Sequence, residues 1–285
     1  MPRTLGAVSW RFLLRPKWIV RHVAVALLVV GMVLLGLWQL RRLDEKREVK
    51  ATVLERQQEP ASPVADVVPL GRDPGADAVE AVEHRSVTAT GTYADADTFV
   101  VENRTFNGAS GAWVLTPLVL DDRTAVVVNR GFLGFDQEGE IDPPPAPAGE
   151  VVVDGILLTS EQRGTFGPTD PDEGTLDVLA RVDLARFAQQ VDYDVLPAYV
   201  QRLTSTPEEA TPAGAPELVA LPRPEPSEGP HLSYALQWFT FTAIALVGYV
   251  LLLRRVARDE AREEAGRRAD AAFHQELEAL LDAEA

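Results

Sequence analysis

The chain has 285 residues, 46% of them hydrophobic, with a formal net charge of −16 and no cysteine. Without thiols there are no disulfides, no thiolate metal sites and no cysteine nucleophile. Residues 51–230 carry 31 acidic against 11 basic side chains, a net −20. A surface of that sign repels phosphate, so neither nucleic acid nor an anionic headgroup layer is an expected partner of this stretch.

Residues 1–18 are basic, and the apolar run from Ile19 to Leu40 follows, uncharged from Val23 to Trp38. At 1.5 Å rise per residue it has the length of a bilayer-crossing helix. It exceeds the usual apolar core of a secretory signal, and Trp38-Gln39-Leu40-Arg41-Arg42 is a poor cleavage context, which predicts an uncleaved anchor. The helical pattern of Leu43, Val49, Val53 and Leu54 carries the helix a few turns further, before a proline-bearing connector over residues 59–78.

Short β-type runs come next: Arg85–Tyr93, Thr98–Arg104, Ala112–Leu120, Thr124–Arg130 and Glu150–Leu158. Asn107-Gly108, Asp121-Asp122 and Asp142-Pro143-Pro144-Pro145 mark turns between them. Leu179, Val182, Leu184, Phe187, Ala188 and Val191 recur every three or four residues, which predicts an amphipathic helix. Val195–Leu203 reads as a last strand. Residues 41–203 therefore sum to an α+β domain with a mostly antiparallel sheet, preceded by its leading helix and connector.

Residues 204–230 are rich in proline and read as a semi-extended tether. The second span, 231–253, is uncharged from Leu232 to Leu253. Residues 254–285 form a helical tail with a stripe of Phe273, Leu277, Leu280 and Leu281. Arg254, Arg255, Arg258, Arg262, Arg267 and Arg268 follow this span, whereas residues 203–230 hold one basic residue, Arg223. The positive-inside rule then puts both termini in the cytoplasm and the domain outside it. The expected class is an α+β membrane protein, its two transmembrane helices near the termini flanking the extracytoplasmic domain.

Catalytic groups are scarce. Outside the membrane only His84 and His231 are expected, and no serine-hydrolase elbow, zinc-helix or phosphate-loop motif occurs. No enzyme activity is expected. Spacings of three and seven put His231, Tyr234 and Trp238 along one helix face, continued by Phe241 and Ala245. One imidazole facing apolar and aromatic side chains at a membrane boundary suits axial ligation of a haem iron, while Tyr and Trp are equally ordinary anchors at that depth.

Three stretches carry a resemblance. They are Gly36-Leu37-Trp38-Gln39-Leu40-Arg41-Arg42 with Lys46; Trp113-Val114-Leu115-Thr116-Pro117-Leu118 leading into Val126-Val127-Val128-Asn129-Arg130-Gly131-Phe132; and His231-Leu232-Ser233-Tyr234-Ala235-Leu236-Gln237-Trp238-Phe239. In this order and at these topological positions they resemble the Surfeit locus protein 1 family of cytochrome c oxidase assembly factors. The resemblance implies that the chain binds haem a and assists its insertion into the catalytic subunit of the oxidase. It also implies the haem a synthesis machinery as a partner and His231 as ligand to the haem iron. Tyr234 and Trp238 would line the site or pack against the first span, and Arg42 would meet a haem propionate with its guanidinium fork or else anchor at the headgroups. Asn129-Arg130-Gly131 is expected to end a strand in a structural role. A scaffold that holds oxidase subunits together without a cofactor is the alternative. The Arg to Lys ratio of 24 to 3 points to a bacterial plasma membrane.

Overall fold

A long helix, α1 (Pro16–Gln58), opens the fold in a computed structural model that describes residues 10–68, 76–121, 123–135, 141–164, 167–210 and 217–284. Pro16 occupies the first helical position, where its missing N–H costs nothing. Pro60 lies just beyond the end, where the residue before it disfavours helical geometry. The other elements, in order, are β1 (Ser62–Pro63), α2 (Val64–Val67), α3 (Ala76–Glu80), β2 (Ser86–Tyr93), β3 (Phe99–Phe106), β4 (Ala109–Val119), β5 (Thr124–Gly134), β6 (Glu150–Thr159), β7 (Val178–Leu179), α4 (Leu184–Phe187), β8 (Asp194–Thr206) and α5 (His231–Glu284). Side chains beyond Gln275, including most of the tail stripe, lie outside the described residues.

Two compact units result: Met1–Glu48 with Ser227–Ala285, and Val49–Pro226. In the first, α1 and α5 pair antiparallel, as Arg15–Glu260, His22–Tyr249 and Gln39–His231 contacts show. The less exposed positions of α1 alternate in steps of three and four through Val29, Met32, Gly36, Gln39 and Leu43. Those of α5 follow suit through His231, Ala235, Trp238, Thr242, Ala245 and Tyr249. That period is the seam of a left-handed helix pair. Both helices are long and apolar enough to cross a membrane.

In the second unit the strands run in the order β1-β2-β6-β8-β5-β4-β3-β7, and β2 also pairs with β4 through Thr92↔Val119 and Tyr93↔Leu118. That extra pairing closes β2, β6, β8, β5 and β4 into a ring. Pairing is antiparallel except for β5–β8 and the two-residue strands β1 and β7. Val87, Ala89, Leu118, Val126, Val128, Val151, Val153 and Val200 belong to one core cluster. Phe99, Leu115, Val127, Leu179, Val182, Phe187 and Tyr199 form another. Alternate β5 residues thus serve two cores, which is why the strand is apolar without a break. Burying each such side chain fully is worth about 1.5–3 kcal/mol.

Asn107-Gly108 makes the two-residue β3–β4 turn, with positive φ at both residues. The predicted helix over 179–191 is much shorter. Leu179 is in β7, Asp183 caps α4 by accepting from Arg186 N–H at 3.0 Å, and a 3-10 turn ends it at Gln190. Its apolar spacing is satisfied by extended and turned backbone, which delivers Leu179, Val182, Leu184 and Phe187 to the same core.

Asn129-Arg130-Gly131 does not end a strand, contrary to expectation. Val114 pairs with Gly131 and Leu115 with Asn129, so Arg130 is the extra residue of a bulge inside β5. Gly131 has φ 151°, and a Cβ there would stand 2.4 Å from the Val219 carbonyl oxygen. The Arg130 side chain is fully buried. It donates from Nε and Nη2 to the Glu209 carboxylate at 3.0 and 2.7 Å, and to the carbonyls of Pro144 and Pro145. The Arg202 guanidinium donates to the Arg130 carbonyl.

These contacts give the proline-rich stretch more than a spacer's role. Beyond Glu209, Val219 exchanges backbone hydrogen bonds with Phe132 at 2.8 and 2.9 Å, and Leu218 is buried in a third small core. Pro222 and Pro224 carbonyls accept from Gln201 and Gln57.

Candidate functional site

His231 is the first residue of α5, where the carbonyl of Pro230 accepts from the Tyr234 N–H and the Ser233 hydroxyl. Its Nδ1 lies 2.8 Å from Oε1 of Gln39 on α1. An amide oxygen only accepts, so Nδ1 is the donor in this contact, and in the neutral imidazole that arrangement puts the lone pair on Nε2. Histidines that ligate a metal are commonly held in this way, by a hydrogen bond to the ring nitrogen away from the metal. The Nε2 edge faces Gly229, whose φ of 67° suits glycine and where a Cβ would stand 3.3 Å from Nε2 and Cδ2. Arg47 of α1 pairs with the neighbouring Glu228 at 3.1 Å, an exposed contact worth little by itself.

One turn further into the helix pair, the Phe239 ring packs on Gly36, where a Cβ would come within 2.8 Å of it. Glycine there lets the helices approach closely. Ala235, buried, lies between these contacts on the α5 face that meets α1.

The other residues expected at the site are placed less uniformly. Trp238 is half-buried, with its ring edge-on to Phe241 at 6.1 Å and 88°. Tyr234 is 47% exposed and turned away from the seam, because the place a turn after His231 goes to Ala235. Arg42 is exposed and spends its guanidinium on Glu45 of its own helix at 2.7 Å. Trp38 is exposed as well.

Trp113-Val114-Leu115-Thr116-Pro117-Leu118 and Asn129-Arg130-Gly131-Phe132 belong to the domain. Trp113 lies under the Arg104 guanidinium, 4.0 Å from its ring centre, and Arg104 pairs with Glu161. Thr116 bonds Thr98 at 2.9 Å. These residues build the sheet and its bulge. His84, the other histidine expected outside the membrane, also belongs to the domain, and burial pushes its pKa below the ordinary value.

Among the described residues no group of three or more histidine and carboxylate side chains could enclose a metal ion. The donor that α1 and α5 present is a single oriented imidazole nitrogen, which is the donor an axial haem ligand requires. Of the residues expected at the site, His231 is the one with a donor of that kind.

The SURF1 family profile matches residues 26–243, from the first long helix well into the second. The chain belongs to the SURF1 family. Its relatives include an uncharacterised SURF1-like protein of Mycobacterium tuberculosis, 27% identical over 257 residues and 90% of each chain. A SURF1-like protein of Monosiga brevicollis is 28% identical over 253 residues, 81% of this chain and 87% of its own. One from Rickettsia bellii is 23% identical over 238 residues, 82% and 90% of the two chains. SURF1 proteins are known as cytochrome oxidase assembly factors.

Sequence reasoning missed Gln39 as the partner of His231, although Gln39 lies inside a quoted motif. The signal was available in the three-and-four alternation of α1, which puts Gln39 on the stripe of Gly36 and Leu43. Gly229 had a weaker signal, a glycine two residues before a helix start.

Proposed function

We propose that this SURF1 protein is a non-enzymatic assembly factor that binds haem a and assists its insertion into the catalytic subunit of cytochrome c oxidase. In this reading α1 and α5 cross a bacterial plasma membrane, both termini are cytoplasmic, and the acidic domain lies outside. The haem a synthesis machinery supplies the cargo and the oxidase subunit receives it. No part of this requires the chain to break or form a bond in the haem.

The observation that supports the reading is the His231–Gln39 hydrogen bond, which leaves Nε2 available to an iron. His231 holds the group and Gln39 fixes its ring orientation, with Trp238 offering aromatic surface beside it. A bound haem would supply a Lewis-acidic iron for the imidazole to hold. Arg42 remains a partner for a propionate only by releasing Glu45, a surface pair that costs little to break.

The test is complementation. A strain lacking this gene receives either the wild-type chain or His231→Ala, and the a-type haem spectrum of its membranes is recorded at matched protein levels. Restoration by the wild type alone supports haem handling through His231. Equal restoration by both points to a scaffold that needs no cofactor.

A further inference from the structure

At the end of the helix pair opposite His231, a 3-10 turn over Arg11–Leu14 precedes α1 and folds against both helices. Phe12 is fully buried there with Trp18 and Ala257, and meets the Trp18 ring edge-on at 5.1 Å and 75°. Two apolar side chains of the same segment, Trp10 and Leu14, point outward, Leu14 with 78% of its surface exposed. Beside them is an open hollow of about 490 Å3 lined by Arg15, Pro16, Lys17, Trp18 and Arg21.

The lining holds three cations and no acid. Arg15 is engaged by Glu260 at 2.8 Å, whereas Lys17 and Arg21 make no ion pair among the described residues. They lie four residues apart on one helix face. Arg21 rests its guanidinium 4.6 Å from the centre of the Trp18 ring, which positions the charge over the hollow. The uncharged run begins two residues later, at Val23, and Ile19 and Val20 next to the hollow are exposed and apolar.

We propose that the hollow formed by Arg15, Lys17, Trp18 and Arg21 binds the phosphate of an anionic phospholipid, whose acyl chains lie along the exposed apolar surface of α1. This rests on the reading that α1 crosses the membrane. Charge complementarity selects the occupant. Two uncompensated cations beside an aromatic ring and outward-facing Trp10 and Leu14 match a group that is anionic at its head and apolar below it. A zwitterionic lipid offers the same chains without the net charge, and free phosphate offers the charge without the chains.

The experiment uses the full chain in neutral detergent. Phosphatidylglycerol, phosphatidylcholine and inorganic phosphate are titrated separately, with bound lipid counted by native mass spectrometry and thermal unfolding recorded in parallel. Wild type is compared with Lys17→Gln and with Lys17→Gln/Arg21→Gln, each checked for unchanged helical circular dichroism. Each cation near a lipid surface contributes about fivefold in binding, so the double variant should lose roughly 30-fold in phosphatidylglycerol affinity with phosphatidylcholine unaffected. The single variant, which changes only an exposed lysine, should lose about fivefold. Equal phosphatidylglycerol binding by wild type and double variant would overturn the proposal, as would equal stabilisation by inorganic phosphate. Resistance of the wild type to alkaline extraction from membranes reads the spanning state separately. Release by alkali would remove that reading, and the lipid site with it.

Discussion

The imidazole of His231 at the start of α5 and the amide of Gln39 on α1 are 192 residues apart in sequence and 2.8 Å apart in space. The bond engages Nδ1 and holds the ring, so Gln39 is a positioning residue for Nε2. Replacing Gln39 with Leu keeps the volume and removes the acceptor. Loss of an outer-shell partner costs about 10–100-fold in metal affinity, and a comparable weakening of haem a binding is expected, with the protein still folded. A haem titration followed at the Soret band reads it, and unchanged affinity would show that Gln39 does not orient the ring.

Gly36 makes room for the Phe239 ring, and a larger side chain would have to displace the end of that ring. Gly36→Val should destabilise the helix pair by about 1–3 kcal/mol, as overpacking does. Combining it with Phe239→Ala should recover part of the loss, because the two positions touch and their effects do not add. Thermal unfolding of the four proteins in detergent measures the coupling.

The Arg130–Glu209 pair is buried on both sides, and Arg202 stands 3.9 Å from the same carboxylate. Glu209→Gln leaves two buried guanidinium groups without their counter-charge. Removing one partner of a buried pair costs about 3–5 kcal/mol. The segment beyond Thr206 loses its first anchor, so protease sensitivity between residues 207 and 217 should rise before global unfolding. Cleavage at the wild-type rate would contradict the anchoring role.

His84 has φ 69°, lies half-buried between Glu83 and Arg56, and has no hydrogen bond to its buried Nδ1. Burial chiefly, and the Arg56 charge in addition, lower its pKa, against a smaller opposite effect of Glu83. The unfolded chain then binds a proton more readily than the native one. Stability from this group is full above the ordinary histidine value of about 6.5 and is lost as pH falls through that value towards the lowered one. His84→Asn, which tolerates the positive φ, should flatten the melting temperature in this window while leaving it unchanged at pH 8. A slope equal to wild type would place the titrating group elsewhere.

Much of the secondary structure was legible because its signals are local. The apolar runs of α1 and α5, the β-type segments and the Asn107-Gly108 turn follow from hydropathy, alternation and turn chemistry. Ring closure through Thr92↔Val119 was not, because a pairing between residues 27 apart leaves no periodic trace. Nor was the buried role of Glu209, which sits in a proline-rich stretch that reads as solvated and becomes a counter-charge only once β5 bulges. At the site, His231 stood out by its chemistry and its place before an apolar helix. Gln39 did not, since an uncharged polar residue near a membrane boundary has many ordinary explanations until the facing helix is in place. Tyr234 illustrates the limit of spacing arguments, as a 60° offset at three residues turns it out of the seam that Ala235 enters.

The most direct measurement is the visible absorbance spectrum of the full chain, purified from cells that make haem a, beside that of His231→Ala. Ligation through His231 predicts Soret and α bands in the wild type that are lost in the variant. Equal haem in both proteins would remove His231 as the ligand, and the absence of haem from both would leave the chain an assembly scaffold without a cofactor.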